Sequence, residues 1–181
     1  MHHVVLIGHP DNAADLHRRV AAAVTPLPDG SLAVAFAISG GIDTLHVPTP
    51  ECPAPADALW STTCCELFVA SDETPGYREF NFSPSGQWAV YDFSAYRERT
   101  AARPGCPTPT IVTRSDVETL RLDIELPASA LPAAGALQLG LSAVLEAHDG
   151  RLGYWALAHA PGKPDFHHPT AFALAINKEC Q

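Results

Sequence analysis

The residues best suited to chemistry lie in the middle of the chain. Cys64-Cys65-Glu66-Leu67-Phe68-Val69-Ala70-Ser71 and Tyr77-Arg78-Glu79-Phe80-Asn81-Phe82-Ser83 both read as strands. Side chains along a strand alternate between faces, so Glu66 goes with Cys64 and Phe68, and Glu79 and Asn81 go with Tyr77 and Ser83. If the two strands are neighbours, Glu66, Glu79 and Asn81 share one sheet face, bordered by Trp60 or Trp88. Carboxyl and amide groups beside flat indole surface suit a polyol such as a sugar. Its hydroxyls bond to the acids and the amide, and its C–H faces lie on the ring. Two carboxyls in one groove also suit glycoside hydrolysis, in which the pair stands roughly 5 to 9 Å apart. As a third reading, these residues are simply the solvated face of an exposed sheet.

Standard catalytic signatures are missing from the sequence. It holds no GxSxG, no GxGxxG opening a helix, no Walker loop and no HExxH, and no enzyme activity is expected. Ser39-Gly40-Gly41 lacks the helix that a phosphate cradle needs. His167-His168 sits in a loop between Pro164 and Pro169, where neighbouring imidazoles diverge. A loop histidine bonded to backbone is the expectation, with Asp165 or His159 as co-ligand in the metal alternative. No acidic loop has calcium-ligand spacing, so no cofactor is expected; calcium and haem stay open. The five cysteines, Cys52, Cys64, Cys65, Cys106 and Cys180, are odd in number without CxxC spacing, which fits reduced structural thiols.

Eleven Lys plus Arg against twenty Asp plus Glu give a formal charge of −9. Such a surface repels phosphate backbones and anionic lipid, so neither nucleic acid nor a membrane is an expected partner. No apolar run approaches the roughly 20 residues of a membrane-spanning helix. Met1 to Gly8 carries no Lys or Arg before its apolar patch, and a cytoplasmic location is expected.

The elements that must hold these residues are short. Seventeen prolines and twelve glycines punctuate a chain of 181 residues, leaving little room for helices. Leu16 to Val24 is read as a strand paired through Pro28-Asp29-Gly30 with residues 32–38. Further strands are expected at Cys64–Ser71, Tyr77–Ser83, Trp88–Phe93, Ile111–Arg114, Thr119–Glu125, Leu137–Glu146, Gly153–His159 and Phe172–Ile176. Leu120/Leu122/Ile124/Leu126 interleaving with Arg121/Asp123/Glu125 is the clearest alternation. Pro84-Ser85-Gly86 forms a hairpin turn, one helical turn follows Pro127, and residues 48–58 and 100–109 are irregular connections. The sum is an all-β, single-domain antiparallel sandwich spanning residues 1–181.

Leu59-Trp60-Ser61-Thr62-Thr63-Cys64-Cys65-Glu66-Leu67-Phe68 and Tyr77-Arg78-Glu79-Phe80-Asn81-Phe82-Ser83-Pro84-Ser85-Gly86-Gln87-Trp88-Ala89-Val90-Tyr91 resemble blocks of bacterial DOMON-like domains. Those domains are similar to the family-9 carbohydrate-binding module of xylanases. Gly153-Tyr154-Trp155-Ala156-Leu157-Ala158-His159 and Pro164-Asp165-Phe166-His167-His168-Pro169 resemble the same group, so the likeness runs from about residue 59 to 174. It implies a jelly-roll-like or immunoglobulin-like sandwich that binds a sugar or, in other branches, haem. In the xylanase modules a Trp, followed six residues on by a strand Glu, belongs to the sugar site, and a second Trp completes a clamp. Trp60 and Glu66 match that spacing, and Trp155 is the candidate for the second Trp. Cys65 stands where an aromatic is expected. Haem in this group uses Met and His. The only Met is Met1, which leaves a bis-His site among His159, His167 and His168.

The expected function is therefore non-catalytic binding of a carbohydrate or similar small polar molecule by Trp60, Glu66, Glu79, Asn81 and Trp155. The alternatives are an interaction module without a small ligand, a glycan hydrolase and a haem binder. In the binding reading Glu66 stands partly exposed and ionised near Trp60. In the scaffold reading it is buried against Arg78 or Arg97.

Overall fold

The computed structural model describes residues 1–12, 17–101, 108–133 and 135–177. Among these, twelve strands form: β1 (His2–Gly8), β2 (Arg19–Pro26), β3 (Leu32–Ser39), β4 (Cys64–Ser71), β5 (Tyr77–Phe82), β6 (Trp88–Ala95), β7 (Glu98–Arg99), β8 (Thr110–Ser115), β9 (Thr119–Leu126), β10 (Leu137–Glu146), β11 (Leu152–Ala156) and β12 (Leu174–Ile176). All named strand pairs are antiparallel and run in the order β7-β6-β5-β4-β10-β11-β1-β2-β3-β9-β8, with β12 beside β10. The path folds back on itself at β1. Residues His2–Leu6 pair with β2, whereas Ile7 and Gly8 pair with β11.

Two faces then close on one core, as a β-sandwich requires. The first sheet contributes Val20, Val34, Phe36, Ile38, Leu120 and Leu122, and the second contributes Leu67, Val69, Phe80, Phe82, Leu139 and Leu141. The alternation of β3 and β9 is half-buried because only one face of each meets the core. β4 differs: seven of its eight residues are buried. It is covered on both sides, and the second cover is what makes a site.

The sequence misses β1 and β7. Only Leu6 of β1 is buried, so the strand exists through its pairing on both edges rather than through a pattern of its own. β7 is two residues long, beyond an irregularity in the register with β6. The strand expected from Leu16 starts at Arg19, and Leu16 lies outside the described residues, as do residues 102–107, Cys106 and Cys180. Cys52, Cys64 and Cys65 are free thiols. A 3-10 turn over Ala128–Ala130 follows Pro127.

Two turns fix the strands that carry the polar residues. Gly76 enters β5 at φ +83°, with a would-be Cβ 2.1 Å from the Phe93 carbonyl oxygen, so a side chain there would break the β5–β6 pairing. At the other end, the Ser83 hydroxyl accepts from the Ser85 N–H at 3.1 Å, and Gly86 N–H donates to the Ser83 carbonyl at 3.0 Å. That local bonding closes the hairpin so that Phe82 faces Trp88 in register.

Candidate functional site

Register alone assembles the outer face of the second sheet. Glu66 on β4 stands opposite Asn81 on β5 and Ser142 on β10. Glu79 stands opposite Phe68 on one side and Tyr91 on the other, and Tyr77 opposite Phe93. Three pieces cover this face. A 3-10 turn over Leu59–Ser61 brings Trp60, the β6–β7 hairpin brings Arg97 and Arg99, and the segment after β11 brings Pro164, Phe166 and His167. Between them lies a cleft of about 440 Å³, within the usual range for small-ligand sites.

Trp60, Glu66 and Glu79, three of the residues expected from sequence, line this cleft together. Trp60 is 53% exposed, an indole presented at the rim. Asn81 sits behind the wall instead. Its Nδ2 donates to Glu79 Oε1 at 2.5 Å, and its Oδ1 accepts from the Cys64 thiol at 3.6 Å. Trp155 does not join them: it is 3% exposed within the core between the sheets. β11 alternates, so Tyr154 turns to the cleft where Trp155 was expected. Trp88, the other proposed border, is core as well.

Glu66 fits neither form in which it was expected. It is only 3% exposed, so it is not a half-open carboxylate, and among the described residues no cation forms an ion pair with it. Arg78 is held by Asp92 at 2.9 Å and Arg97 by Asp165 at 2.8 Å. Burial, followed by the charge of Glu79, pushes the Glu66 carboxyl far above the usual carboxylate range, against a hydrogen bond from Ser142 Oγ at 3.2 Å. Glu79 also rises through burial, opposed by Asn81, Arg99 and Arg97. The floor of the cleft thus holds two carboxyls raised by burial, Glu66 the more strongly, and a carboxyl that keeps its proton donates as well as accepts.

His167 belongs to the same wall. Its Nδ1 lies 2.8 Å from Tyr77 Oη, and its Nε2 faces Glu79 Oε2 at 3.6 Å. Tyr77 Oη also accepts from the Arg97 N–H at 3.1 Å, which ties the β6–β7 hairpin to this wall. Burial, aided by Arg97, lowers the imidazole to about 4. The backbone bonding expected in this histidine pair is made by His168, whose Nδ1 accepts from the Thr170 N–H, whereas the His167 ring bonds a tyrosine. Asp165 anchors the loop, accepting from Arg97 Nη2 at 2.8 Å and Tyr96 Oη at 2.5 Å. His159 and His168 use ring nitrogens on the Ile7 carbonyl and the Thr170 N–H. Among the described residues, no group of three His, Cys, Asp or Glu is placed to hold a metal ion.

Tyr91, Tyr154, Phe166, His167, Arg97 and Arg99 were not expected in the site. Tyr91 was within reach, because it follows Glu79 in the hairpin register set by Ser83–Gly86. Arg97 had been considered only as a buried partner of Glu66; it sits in the turn before β7, and Arg99 arrives on that two-residue strand, which has no pattern to read.

No family model matches the sequence, and no curated protein is similar to it at a significant level. Solved structures do share the fold. A candidate carbohydrate-binding protein from Bacteroides uniformis superposes with a TM-score of 0.69 at 14% identity, covering 94% of this chain and 84% of that one. A family-9 carbohydrate-binding module from Caldicellulosiruptor kristjanssonii, in complex with cellotriose, gives 0.54 at 10% identity, covering 83% and 70%. The same organism's module in complex with glucose gives 0.51 at 10%, covering 83% and 72%.

Proposed function

We propose that this chain is a non-catalytic module that binds a saccharide in the cleft between Trp60 and Tyr154. The observation that carries the proposal is the meeting of an exposed indole with two carboxyls on one cleft wall. A pyranose ring lays its C–H face on Trp60, while its hydroxyls exchange hydrogen bonds with Glu66 and Glu79, which Asn81 and Ser142 hold in place. The sugar-bound modules that share the fold support the ligand class. The motif blocks further suggest the DOMON-like branch as its home.

A hydrolytic role is less well supported. Glycoside hydrolysis needs a free carboxylate as base or nucleophile, whereas Glu79 is bonded by Asn81 and Glu66 by Ser142, and no catalytic signature accompanies the pair. Titration of a glycan panel, followed by Trp fluorescence and calorimetry, tests the proposal. Saturable binding to at least one saccharide, lost in Trp60→Ala, is the expected result. Equal responses of wild type and Trp60→Ala to every saccharide would overturn it.

A further inference from the structure

Neutral sugars are satisfied by aromatic faces and hydrogen-bonding groups, yet this cleft also carries Arg97 and Arg99. The two cations are in different situations. Arg97 has a counter-ion, since its Nη2 donates to Asp165 at 2.8 Å. Arg99 has no ion-pair partner among the described residues, and its guanidinium carbon lies 3.9 Å from the centroid of the Tyr91 ring. Stacking on the ring fixes the plane of the guanidinium and leaves its N–H edge for another group.

Among the described residues, two acidic groups lie within electrostatic reach of Arg99, and neither forms an ion pair with it. Asp57 accepts the Tyr91 hydroxyl and the Ala58 N–H, and Glu79 accepts from Asn81. Burial also raises the carboxyls of Glu66 and Glu79, which lessens the negative charge the floor presents to an incoming anion. What remains is a preoriented guanidinium edge in the same cleft as an exposed indole.

We infer that the preferred ligand is an acidic saccharide, with the carboxylate of a uronic-acid unit docked on Arg99 and the sugar ring lying on Trp60. The inference rests on the saccharide-binding reading of the cleft and adds a specificity-determining residue to it. A carboxylate matches the planar fork of a guanidinium with two parallel hydrogen bonds, which a neutral hydroxymethyl group in its place does not.

The test is calorimetric titration of the full chain with pairs of oligosaccharides that differ only at C6. β-1,4-Linked glucose and glucuronic acid trimers make one pair, and α-1,4-linked galactose and galacturonic acid trimers another. The uronate of at least one pair should bind about tenfold more tightly than its neutral partner. Arg99→Gln should collapse that ratio towards one, and Arg99→Lys should keep only part of it, because an ammonium lacks the fork. Thermal melts confirm that the variants fold, and the wild-type comparison between partners needs no variant at all. If neutral partners bind as tightly as uronates, the inference falls while saccharide binding stands. If no saccharide binds, both fall. Sodium sulfate bound as tightly as the uronates would also overturn it, since Arg99 would then be a generic anion site.

Discussion

Asn81 and Glu79 stand two residues apart on β5, and the Asn81 Nδ2 donates to the Glu79 Oε1 at 2.5 Å. Both side chains share one sheet face, so the amide braces the carboxyl from within the strand. The Cys64 thiol completes the bracing by donating to the amide oxygen at 3.6 Å. Asn81 therefore shapes the site without lining it.

Removing the brace should cost stability in a pH-dependent way. Asn81→Ala deprives a buried carboxyl of its donor, a loss of about 1–3 kcal/mol. The Asn81 hydrogen bond favours ionised Glu79, so its loss hurts most where Glu79 ionises. Urea unfolding at pH 5 and pH 8 should show the larger penalty at pH 8. An equal penalty at both would mean that the amide serves packing alone.

Glu66→Gln should stabilise the protein above neutral pH. The unfolded chain releases this proton near the ordinary value of 4.5, whereas the folded chain retains it to much higher pH. The fold binds more protons across that interval, so the stability from neutral Glu66 is complete below 4.5 and lost as pH rises through the raised value. Gln keeps the shape and cannot ionise. Its melting temperature should match wild type near pH 4 and exceed it at pH 8, each 1 kcal/mol appearing as about 2–4 °C for a chain of this size. A lower melting temperature at pH 8 would point to a buried cationic partner for Glu66.

His167 imposes the opposite slope at lower pH. Its ordinary value of 6.5 falls to about 4 in the fold, so over that window the unfolded chain binds the extra proton. Stability contributed by neutral His167 is present above 6.5 and lost as pH falls through 4. An NMR titration of the imidazole C–H signals should find His167 changing at about 4. His167→Gln should flatten the acid limb of the stability profile. Titration of His167 in the ordinary imidazole range would show that the loop lies open to water.

The strands that hold Glu66, Glu79 and Asn81 were legible because Phe80 and Phe82 alternate against Glu79 and Asn81, and because Pro84-Ser85-Gly86 sets one hairpin register. That was enough to place three polar residues on one face. Burial was not legible. Glu66 is covered by the turn carrying Trp60 and by the segment carrying Phe166, one before β4 and one far beyond it in sequence. Such tertiary cover leaves no local period to read. The choice between Tyr154 and Trp155 failed for a related reason: adjacent large aromatics on a strand occupy opposite faces, and composition does not say which face holds the core.

Those two aromatic environments give the sharpest contrast between site and scaffold. Trp60 is 53% exposed on a short turn, so Trp60→Ala should change unfolding free energy by less than about 1 kcal/mol while removing the stacking surface of the cleft. Trp155 fills the core beside β1, where its Nε1 would lie 3.3 Å from a Cβ placed on Gly8. Trp155→Ala should cost about 3–5 kcal/mol, since it removes a buried indole and leaves a cavity where β1 passes between the sheets. Two measurements on each variant, denaturant unfolding and saccharide titration below the unfolding transition, separate the roles. Trp60→Ala should lose binding and keep its midpoint. Trp155→Ala should lose its midpoint and, where still folded, retain affinity within about threefold, because Tyr154 and not Trp155 faces the cleft. Loss of binding in folded Trp155→Ala, with Trp60→Ala unaffected, would move the ligand to a different face of the sandwich.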